Sequence, residues 1–201
     1  PLMMESLRIV VAGAEKLNPV VREAFLTRFN KHILEGYGAT ETTPVASVNL
    51  PDCLDTQYWD LQIGSKHGTV GMPLPGSNVR IVDPITLAEL PTGSDGMILI
   101  GGPQVMQGYL NNPEKTAGVI KEIDGSRWYV TGDKGHLDED GFLTIVDRYS
   151  RFAKVGGEMI SLGAVELAVQ QALLEETEVI AVNIPDAKKG EQIVLLTTVA
   201  L

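Results

Sequence analysis

Short hydrophobic runs in the first 35 residues predict a strand–helix–strand unit. The nearly continuous apolar run 7–12 is typical of a buried parallel strand. Asn18-Pro19 predicts a helix start, and apolar residues recur behind it at helical spacing: Val21, Ala24, Phe25 and Phe29. A second strand is predicted over 31–34. The stretches 13–16 and 36–42 then follow adjacent strands at one edge of a sheet, where two loops can line one pocket.

From residue 68 the pattern changes to short alternating segments broken by glycine and proline. It predicts strands over 79–82, 97–100, 128–130 and 142–146, joined by tight turns. Such a succession is typical of an antiparallel sheet or a small barrel. Residues 50–67 give little signal, and we expect an irregular connection there.

A third pattern follows Asp147-Arg148. Residues 154–160 predict a glycine-centred turn between two strands, and Ser161 is placed to cap a helix. The apolar face of that helix consists of Leu162, Val165, Val169, Ala172 and Leu173. Strands are predicted over 179–184 and 192–199. We therefore expect a mixed α/β (α+β) chain with a boundary near 148–150, giving domains 1–147 and 148–201.

Composition narrows the classes of function. The chain has 201 residues, 44% of them hydrophobic, and a net charge of −10, which argues against a general binder of nucleic acid or of anionic membranes. No apolar run approaches the roughly 18 residues of a membrane span. The single cysteine, Cys53, fits a reducing cytoplasm, and the three histidines show no metal-ligand spacing. We expect a cytoplasmic protein, and the missing initiator methionine suggests a piece of a longer polypeptide.

The first stretch with side chains suited to ligand binding is Gly36-Tyr37-Gly38-Ala39-Thr40-Glu41. The glycines allow close approach to a ligand, the ring offers a flat face for a base, and the hydroxyl and carboxylate suit phosphate and a divalent cation. A glycine-rich turn before a threonine-capped helix explains the same residues equally well. The dinucleotide fingerprint does not fit, because Glu41 stands where its third glycine belongs.

Three further residues are candidates with ordinary alternatives. Asp133, at the end of the predicted strand 128–130, can accept both hydroxyls of a ribose, or it is an aspartate in a tight turn. Arg148 can reach the same sugar or a phosphate, or form an exposed salt bridge. Lys154, beside two glycines, is a reactive amine or a solvated turn lysine.

Taken together, five stretches occur in the order and spacing of the acyl-adenylate-forming enzymes. The chain resembles that superfamily, which includes acyl-CoA synthetases, luciferases and adenylation domains. The stretches are Gly13-Ala14-Glu15, Tyr37 to Glu41, the run 68–76, Tyr129 to Asp133 and the segment 147–166. The resemblance implies the C-terminal part of a large adenylate-forming domain, with a parallel sheet edge and an antiparallel barrel-like subdomain, and then the start of a small α+β lid domain.

The resemblance also implies roles for residues of the large domain. Tyr37 would stack on adenine beside Gly38, Thr40 would donate to the α-phosphate of ATP, and Glu41 would hold Mg²⁺. Asp133 would bind the ribose of ATP or AMP. The loop that would flank the adenine consists of Gly13, Ala14, Glu15 and Lys16.

For the small domain the resemblance implies that Arg148 joins Asp133 at the ribose. Ser150 occupies the hinge position, where Asp or Lys is usual. Lys154, Gly156 and Gly157 would face a phosphopantetheine thiol after the domain turns. Other departures from the family pattern are Leu162 in place of proline and Met97 in place of glutamate.

The implied activity is ATP-dependent activation of a fatty acid as acyl-AMP, followed by transfer to the thiol of acyl carrier protein or CoA. Segment 151–162 is most similar to the bifunctional acyl-acyl-carrier-protein synthetase/2-acylglycerophosphoethanolamine acyltransferases, which implies a lysophospholipid as the final acceptor. A soluble acyl-CoA synthetase and a non-catalytic nucleotide-binding module are the alternatives. The family's triphosphate loop would precede Pro1 and its catalytic lysine would follow Leu201, so we expect the isolated piece to be inactive.

Overall fold

In a computed structural model, which describes residues 4–173, 178–186 and 188–198, the chain begins with a strand–helix–strand unit. Strand β1 (Val10–Ala12) pairs in parallel with β2 (Ile33–Gly38), and helix α1 (Pro19–Phe29) connects them. Asn18 caps the helix, since its Oδ1 accepts from the backbone N–H of Val20 at 2.8 Å. The predicted unit is confirmed.

The prediction that residues 7–12 form a buried strand is wrong in length and in burial. Strand β1 has three residues, and the side chains of Ile9 and Val11 are 50% and 52% exposed. Among the described residues, β1 is the end strand of its sheet, so one side of it has no neighbouring strand. Helix α1 has no fully buried residue either: of its predicted apolar face, Phe25 and Phe29 are half-buried and Val21 and Ala24 are exposed.

The first sheet continues with antiparallel strands and has the order β1-β2-β3-β6, with β3 at Val45–Val48 and β6 at Met72–Pro73. The pairing of β2 with β3 slips at Tyr37–Gly38, where Ala46 is an extra residue on β3. Between β3 and β6 lies a hairpin of β4 (Cys53–Asp55) and β5 (Asp60–Gln62). An irregular connection was expected there; the hairpin turn forms because Asp55 Oδ1 accepts from the N–H of Gln57 at 2.7 Å.

The second sheet is antiparallel at its centre, as predicted. Its order is β11-β10-β8-β7, and a fifth strand, β9, also pairs with β10. The strands are β7 (Asn78–Val82), β8 (Gly96–Gly101), β9 (Ile120–Ile123), β10 (Ser126–Leu137) and β11 (Leu143–Arg148). One face of this sheet forms a buried apolar core that includes Ile81, Ile98, Ile100, Tyr129 and Leu143.

Strand β10 is much longer than the predicted strand 128–130. It has 12 residues, so Thr131, Gly132 and Asp133 lie within it rather than at its end. Helix α2 (Pro113–Val119) was not predicted at all. It begins at Asn112, whose Oδ1 accepts from the N–H of Lys115 at 3.0 Å, and it is too short to show a hydrophobic period.

The remaining elements are β12 (Phe152–Val155), β13 (Glu158–Ser161), α3 (Leu162–Ala172), β14 (Val179–Asp186) and β15 (Gly190–Thr197). The strands form a separate sheet of order β13-β12-β15-β14. Ser161 caps α3, because its Oγ accepts from the N–H of Ala164 at 3.1 Å. Ala153, Leu162 and Ala181 form a small core. The predicted turn, helix and strand pair are confirmed up to Thr197; Val199, predicted in the last strand, lies outside the described residues.

The chain divides into two compact units, Pro1–Val146 and Asp147–Leu201. The division lies one residue from the predicted cut after residue 147; that the units are part of a larger domain and the start of a lid stays a prediction. Across the described ranges, no helix has the length and apolar character needed to cross a membrane.

Candidate functional site

Tyr37 and Asp133, 96 residues apart in the sequence, meet in the first unit. The Tyr37 hydroxyl donates to Asp133 Oδ2 at 2.5 Å, and the Asp133 side chain is buried. Burial, followed by the negative charge of Asp133, raises the pKa of the Tyr37 phenol well above its ordinary value. Tyr37 therefore stays protonated and acts as a donor to the carboxylate.

A bulge in β10 presents Asp133. Val130 pairs with Leu99 of β8 and Lys134 pairs with Met97, so three residues of β10 stand opposite one residue of β8. Gly132 permits this path, since its φ of 79° lies in the left-handed region that favours glycine. The Thr131 hydroxyl donates to the carbonyl of Ile98 at 2.9 Å and accepts from the N–H of Asp133 at 3.0 Å. Hydrogen bonds on both sides therefore fix the bulge.

Thr40 and Glu41 lie in a 3₁₀ turn, Thr40–Thr42, directly after β2. The buried Thr42 hydroxyl accepts from the N–H of Ala39 at 2.9 Å and lies 3.0 Å from the carbonyl oxygen of Pro44. Thr42 therefore holds the turn from inside, while Thr40 is exposed and Glu41 is partly exposed. The expected loop 36–42 is half strand, because Gly36, Tyr37 and Gly38 belong to β2.

Glu41 is fixed by a second tyrosine that the sequence reasoning missed. The hydroxyl of Tyr109 donates to Glu41 Oε1 at 2.5 Å. This hydrogen bond lowers the pKa of the Glu41 carboxyl, against the opposing effect of partial burial. Burial, with the nearby charge of Glu41, raises the pKa of Tyr129 to about 12. A charged carboxylate therefore stands beside two neutral phenols.

The loop 13–16 leaves β1 next to β2, as the parallel pairing requires. A Cβ on Gly13 would lie 3.2 Å from the carbonyl oxygen of Gly36, so glycine at position 13 allows the loop to pass close to the backbone of β2. Gly13, Ala14, Glu15 and Lys16 are all exposed. Glu35 anchors the end of this loop: its carboxylate pairs with Arg22 and accepts from the N–H of Leu17 at 3.3 Å. Its position as an acidic residue in an apolar strand is the signal that could have identified it.

The other predicted site residues belong to the second unit. Arg148 is exposed, and its N–H donates to Asp147 Oδ1 at 2.7 Å. Ser150 lies in a 3₁₀ turn, Tyr149–Arg151, and Lys154 lies on β12 with its backbone N–H donating to Glu191.

Gly156 and Gly157 form the turn between β12 and β13. They have φ values of 61° and 96°, and a Cβ on either would meet no atom within 4 Å. The turn is therefore both left-handed and open. The structure thus groups the adenine and phosphate candidates with Asp133 in one unit, and it places Arg148 with the hinge and thiol-path candidates in the other.

The donor set of the first unit fits a nucleotide with Mg²⁺. Asp133 offers acceptor oxygens for ribose hydroxyls, Thr40 an exposed hydroxyl for phosphate, and Glu41 a charged carboxylate. No group of three or more His, Cys, Asp or Glu side chains able to hold a metal occurs in the described ranges. One carboxylate is enough for Mg²⁺, because this ion is commonly held by one or two carboxylates together with water and substrate phosphates.

A family profile described as AMP-binding enzyme matches residues 2–110, more than half of the chain. The chain belongs to the AMP-binding enzyme family. Its relatives include the long-chain-fatty-acid–CoA ligase of Salmonella typhimurium, which is 36% identical over 194 residues covering 96% of this chain and 32% of that protein. The 4-coumarate–CoA ligase-like 2 protein of Arabidopsis thaliana is 34% identical over 189 residues, covering 94% of this chain and 31% of that protein.

Solved structures confirm the predicted fold class. ATP-bound MatB from Rhodopseudomonas palustris aligns with a TM-score of 0.77 at 30% identity, over 94% of this chain and 35% of that one. O-succinylbenzoate coenzyme A synthetase (MenE) from Bacillus subtilis aligns with a TM-score of 0.74 at 25% identity, over 98% and 39%. The chain has the fold of part of an adenylate-forming domain, and it spans about a third of the length of the curated relatives it matches.

Proposed function

We propose that the full-length protein activates a fatty acid with ATP as an acyl-adenylate and passes the acyl group to a phosphopantetheine thiol. One observation carries this proposal. Tyr37, which donates a hydrogen bond to Asp133, lies near the end of β2, shortly before the turn that contains Thr40 and Glu41. Membership of the AMP-binding family supports the adenylate chemistry. The long-chain-fatty-acid–CoA ligases among the relatives support a fatty acid as the substrate.

In this proposal each residue of the first unit has one task. Asp133 accepts the ribose hydroxyls, Tyr37 presents its ring to adenine beside Gly38 and the loop 13–16, and Thr40 donates to the α-phosphate. Glu41 would hold Mg²⁺, which supplies positive charge to the phosphate oxygens. The hydrogen bond from Tyr109 favours the charged form of Glu41, which is the direction of its lowered carboxyl pKa.

The two half-reactions balance without any further reagent. In the first, a carboxylate oxygen of the fatty acid bonds to the α-phosphorus, and the electron pair of the broken P–O bond leaves with pyrophosphate. In the second, the thiol loses its proton to solvent, its sulfur bonds to the acyl carbon, and AMP leaves with the electron pair of the broken C–O bond. For the second unit we propose Arg148 at the ribose, Ser150 at the pivot, and Lys154, Gly156 and Gly157 on the path of the thiol.

The proposal also concerns the identity of the thiol that accepts the acyl group. The similarity of segment 151–162 to the bifunctional synthetase/acyltransferases supports acyl carrier protein as the thiol and 2-acylglycerophosphoethanolamine as the final acyl acceptor. The long-chain-fatty-acid–CoA ligases among the relatives support CoA, the second candidate. Both candidates present the same phosphopantetheine thiol, so the site proposed in this chain is common to them.

The test uses the full-length protein, ATP, Mg²⁺ and palmitate. We expect palmitate-dependent exchange of labelled pyrophosphate into ATP, and the variant Glu41→Gln should lower this exchange by at least about 100-fold, as expected for loss of a charge that the proposal places next to the transferring phosphate. A second assay adds CoA or phosphopantetheinylated acyl carrier protein to preformed acyl-adenylate and follows thioester formation.

The outcomes separate the alternatives. ATP binding without any acid-dependent exchange would contradict the proposal and leave a nucleotide-binding module. Thioester formation with CoA alone would support the synthetase, whereas transfer to acyl carrier protein together with reacylation of 2-acylglycerophosphoethanolamine would support the bifunctional activity.

A further inference from the structure

Residues 104–109, which follow β8, reach back to the turn that carries Glu41. The N–H of Met106 donates to the carbonyl oxygen of Glu41 at 2.8 Å, and the Thr43 hydroxyl donates to the carbonyl of Gln104 at 2.6 Å. The Tyr109 hydroxyl adds a hydrogen bond to Glu41 Oε1. One segment therefore holds both the backbone and the side chain of Glu41.

The other side of this segment is anchored in turn. The Arg127 guanidinium donates to the carbonyl oxygens of Met106 and Gln107 at 3.1 and 3.0 Å. The N–H of Tyr109 donates to Thr116 Oγ1 at 2.9 Å. A Cβ on Gly108 would lie only 2.8 Å from Thr116 Cγ2, so glycine before Tyr109 permits the close approach to α2. Tyr109 thus has a fixed backbone from which to present its hydroxyl.

Lys115 completes the arrangement from α2. Its Nζ lies 4.2 Å from the centroid of the Tyr109 ring, within the range of a cation–π contact. A cation over the ring draws electron density from the phenol and strengthens it as a donor. Tyr109 therefore contacts a positive charge through its ring and a negative charge through its hydroxyl.

We propose that Tyr109, supported by Lys115, is a positioning residue that orients the Glu41 carboxylate for the Mg²⁺ that accompanies ATP. The inference rests on the proposed function, in which Glu41 holds that ion. A glutamate side chain has several rotatable bonds, and fixing it before binding removes an entropic cost that metal binding would otherwise carry. Residues that hydrogen-bond to metal ligands commonly change metal affinity by about 10- to 100-fold.

The test compares Tyr109→Phe with wild-type full-length protein by electron paramagnetic resonance of Mn²⁺ in the presence of ATP and without fatty acid. We expect Mn²⁺ affinity to fall by about 10- to 100-fold. Binding of ATP in EDTA should stay unchanged, because Tyr109 acts on the metal ligand only. Tyr58→Phe is the matched control: Tyr58 is 73% exposed and lies on the β4–β5 hairpin, and this variant should bind Mn²⁺ like the wild type.

Lys115→Met is the second variant, and it carries the test alone if circular dichroism shows that Tyr109→Phe is unfolded. It removes the cation over the ring and should weaken Mn²⁺ binding by about two- to fivefold. If folded Tyr109→Phe and Lys115→Met bound Mn²⁺ like the wild type while Glu41→Gln bound it more weakly, this inference would be overturned and the proposed function would stay intact. Equal losses of Mn²⁺ binding and of metal-free ATP binding would also overturn it. A wild-type protein that binds ATP but no Mn²⁺ would overturn the role of Glu41 in the proposed function as well.

Discussion

Asp133 shows how burial and hydrogen bonding prepare a single residue for a polar ligand. Its carboxylate is buried on a strand, and its orientation is fixed by Tyr37 and by the Thr131 hydroxyl at its own backbone. A carboxylate on a flexible turn would have to be ordered when the nucleotide binds. Here the ordering is part of folding, so the interaction with ribose hydroxyls that we propose would lose less free energy to entropy.

In the full-length protein, Asp133→Ala should weaken ATP binding by about 100-fold or more. Two hydrogen bonds to a charged acceptor, each worth on the order of 1.5–3 kcal/mol, would be lost. Calorimetry on folded protein measures the effect. Because Tyr37 loses its partner too, Tyr37→Phe is the control that separates the phenol from the carboxylate. Unchanged ATP affinity in folded Asp133→Ala would exclude the ribose role.

Tyr129 makes stability fall at alkaline pH. Its pKa is raised to about 12 in the folded chain, against about 10 in an unfolded one, so between these values the folded state holds a proton that the unfolded state releases. The free energy of unfolding therefore contains a contribution that is complete below pH 10 and is lost as the pH rises through 12. Denaturant unfolding at several pH values should show a shallower alkaline decline in Tyr129→Phe. Equal slopes in the two proteins would contradict this assignment.

At the scale of elements, the slip between β2 and β3 depends on Gly38. A Cβ there would lie 1.9 Å from the carbonyl oxygen of Pro44, the residue directly before β3, so no side chain fits at this position. We expect Gly38→Ala to cost about 1–3 kcal/mol or more, seen as faster hydrogen exchange of the β2 and β3 amides.

Gly118 provides the matched control for this substitution. It lies in α2, and a Cβ on it would meet no atom within 4 Å. Gly118→Ala should be neutral or stabilising by up to about 1 kcal/mol, since alanine is the better helix former. If both substitutions gave the same exchange rates in β2 and β3, the steric explanation for Gly38 would be wrong.

Some elements could be predicted from the sequence because a few neighbouring residues identify them. The capped helices after Asn18 and Ser161 and four of the five strands of the second sheet were predicted because caps and short apolar runs identify them, whereas β9 was not predicted. Strand β10 was cut short because Thr131, Gly132 and Asp133 look like a turn, and only pairing with β8 shows that the ladder resumes. The contact of Tyr109 with Glu41 spans 68 residues, and no period in the sequence reports it.

At the scale of the whole molecule, our proposal assigns the two half-reactions largely to different units. The residues proposed for the acyl-adenylate site lie in Pro1–Val146, apart from Arg148, and the proposed thiol path begins at the turn of Gly156 and Gly157 in Asp147–Leu201. A bulky residue in that turn should then affect thioester formation while acyl-adenylate formation continues.

Gly157→Leu in the full-length protein tests this assignment. Acyl-adenylate formation should stay near the wild-type rate, and transfer to CoA or acyl carrier protein should fall by at least about tenfold because the side chain obstructs the thiol. Gly141→Leu is the control, since Gly141 also has a positive φ, of 85°, and open space around its Cβ, but lies in the first unit. If Gly157→Leu slowed both half-reactions equally, backbone strain would be the better explanation.

Because Asp133 lies in the bulge of β10, its carboxylate could be removed without disturbing the pairing of the sheet. From Val130 to Lys134, β10 takes four steps while β8, from Leu99 to Met97, takes two. The surplus is even, so the alternation of side chains between the two faces is the same before and after it. A chain shortened by two residues at this point would keep its ladder and its core and would lose the carboxylate. The bulge is therefore a two-residue surplus, and the pairing on both sides of it would keep its register if the chain were shortened here by that length.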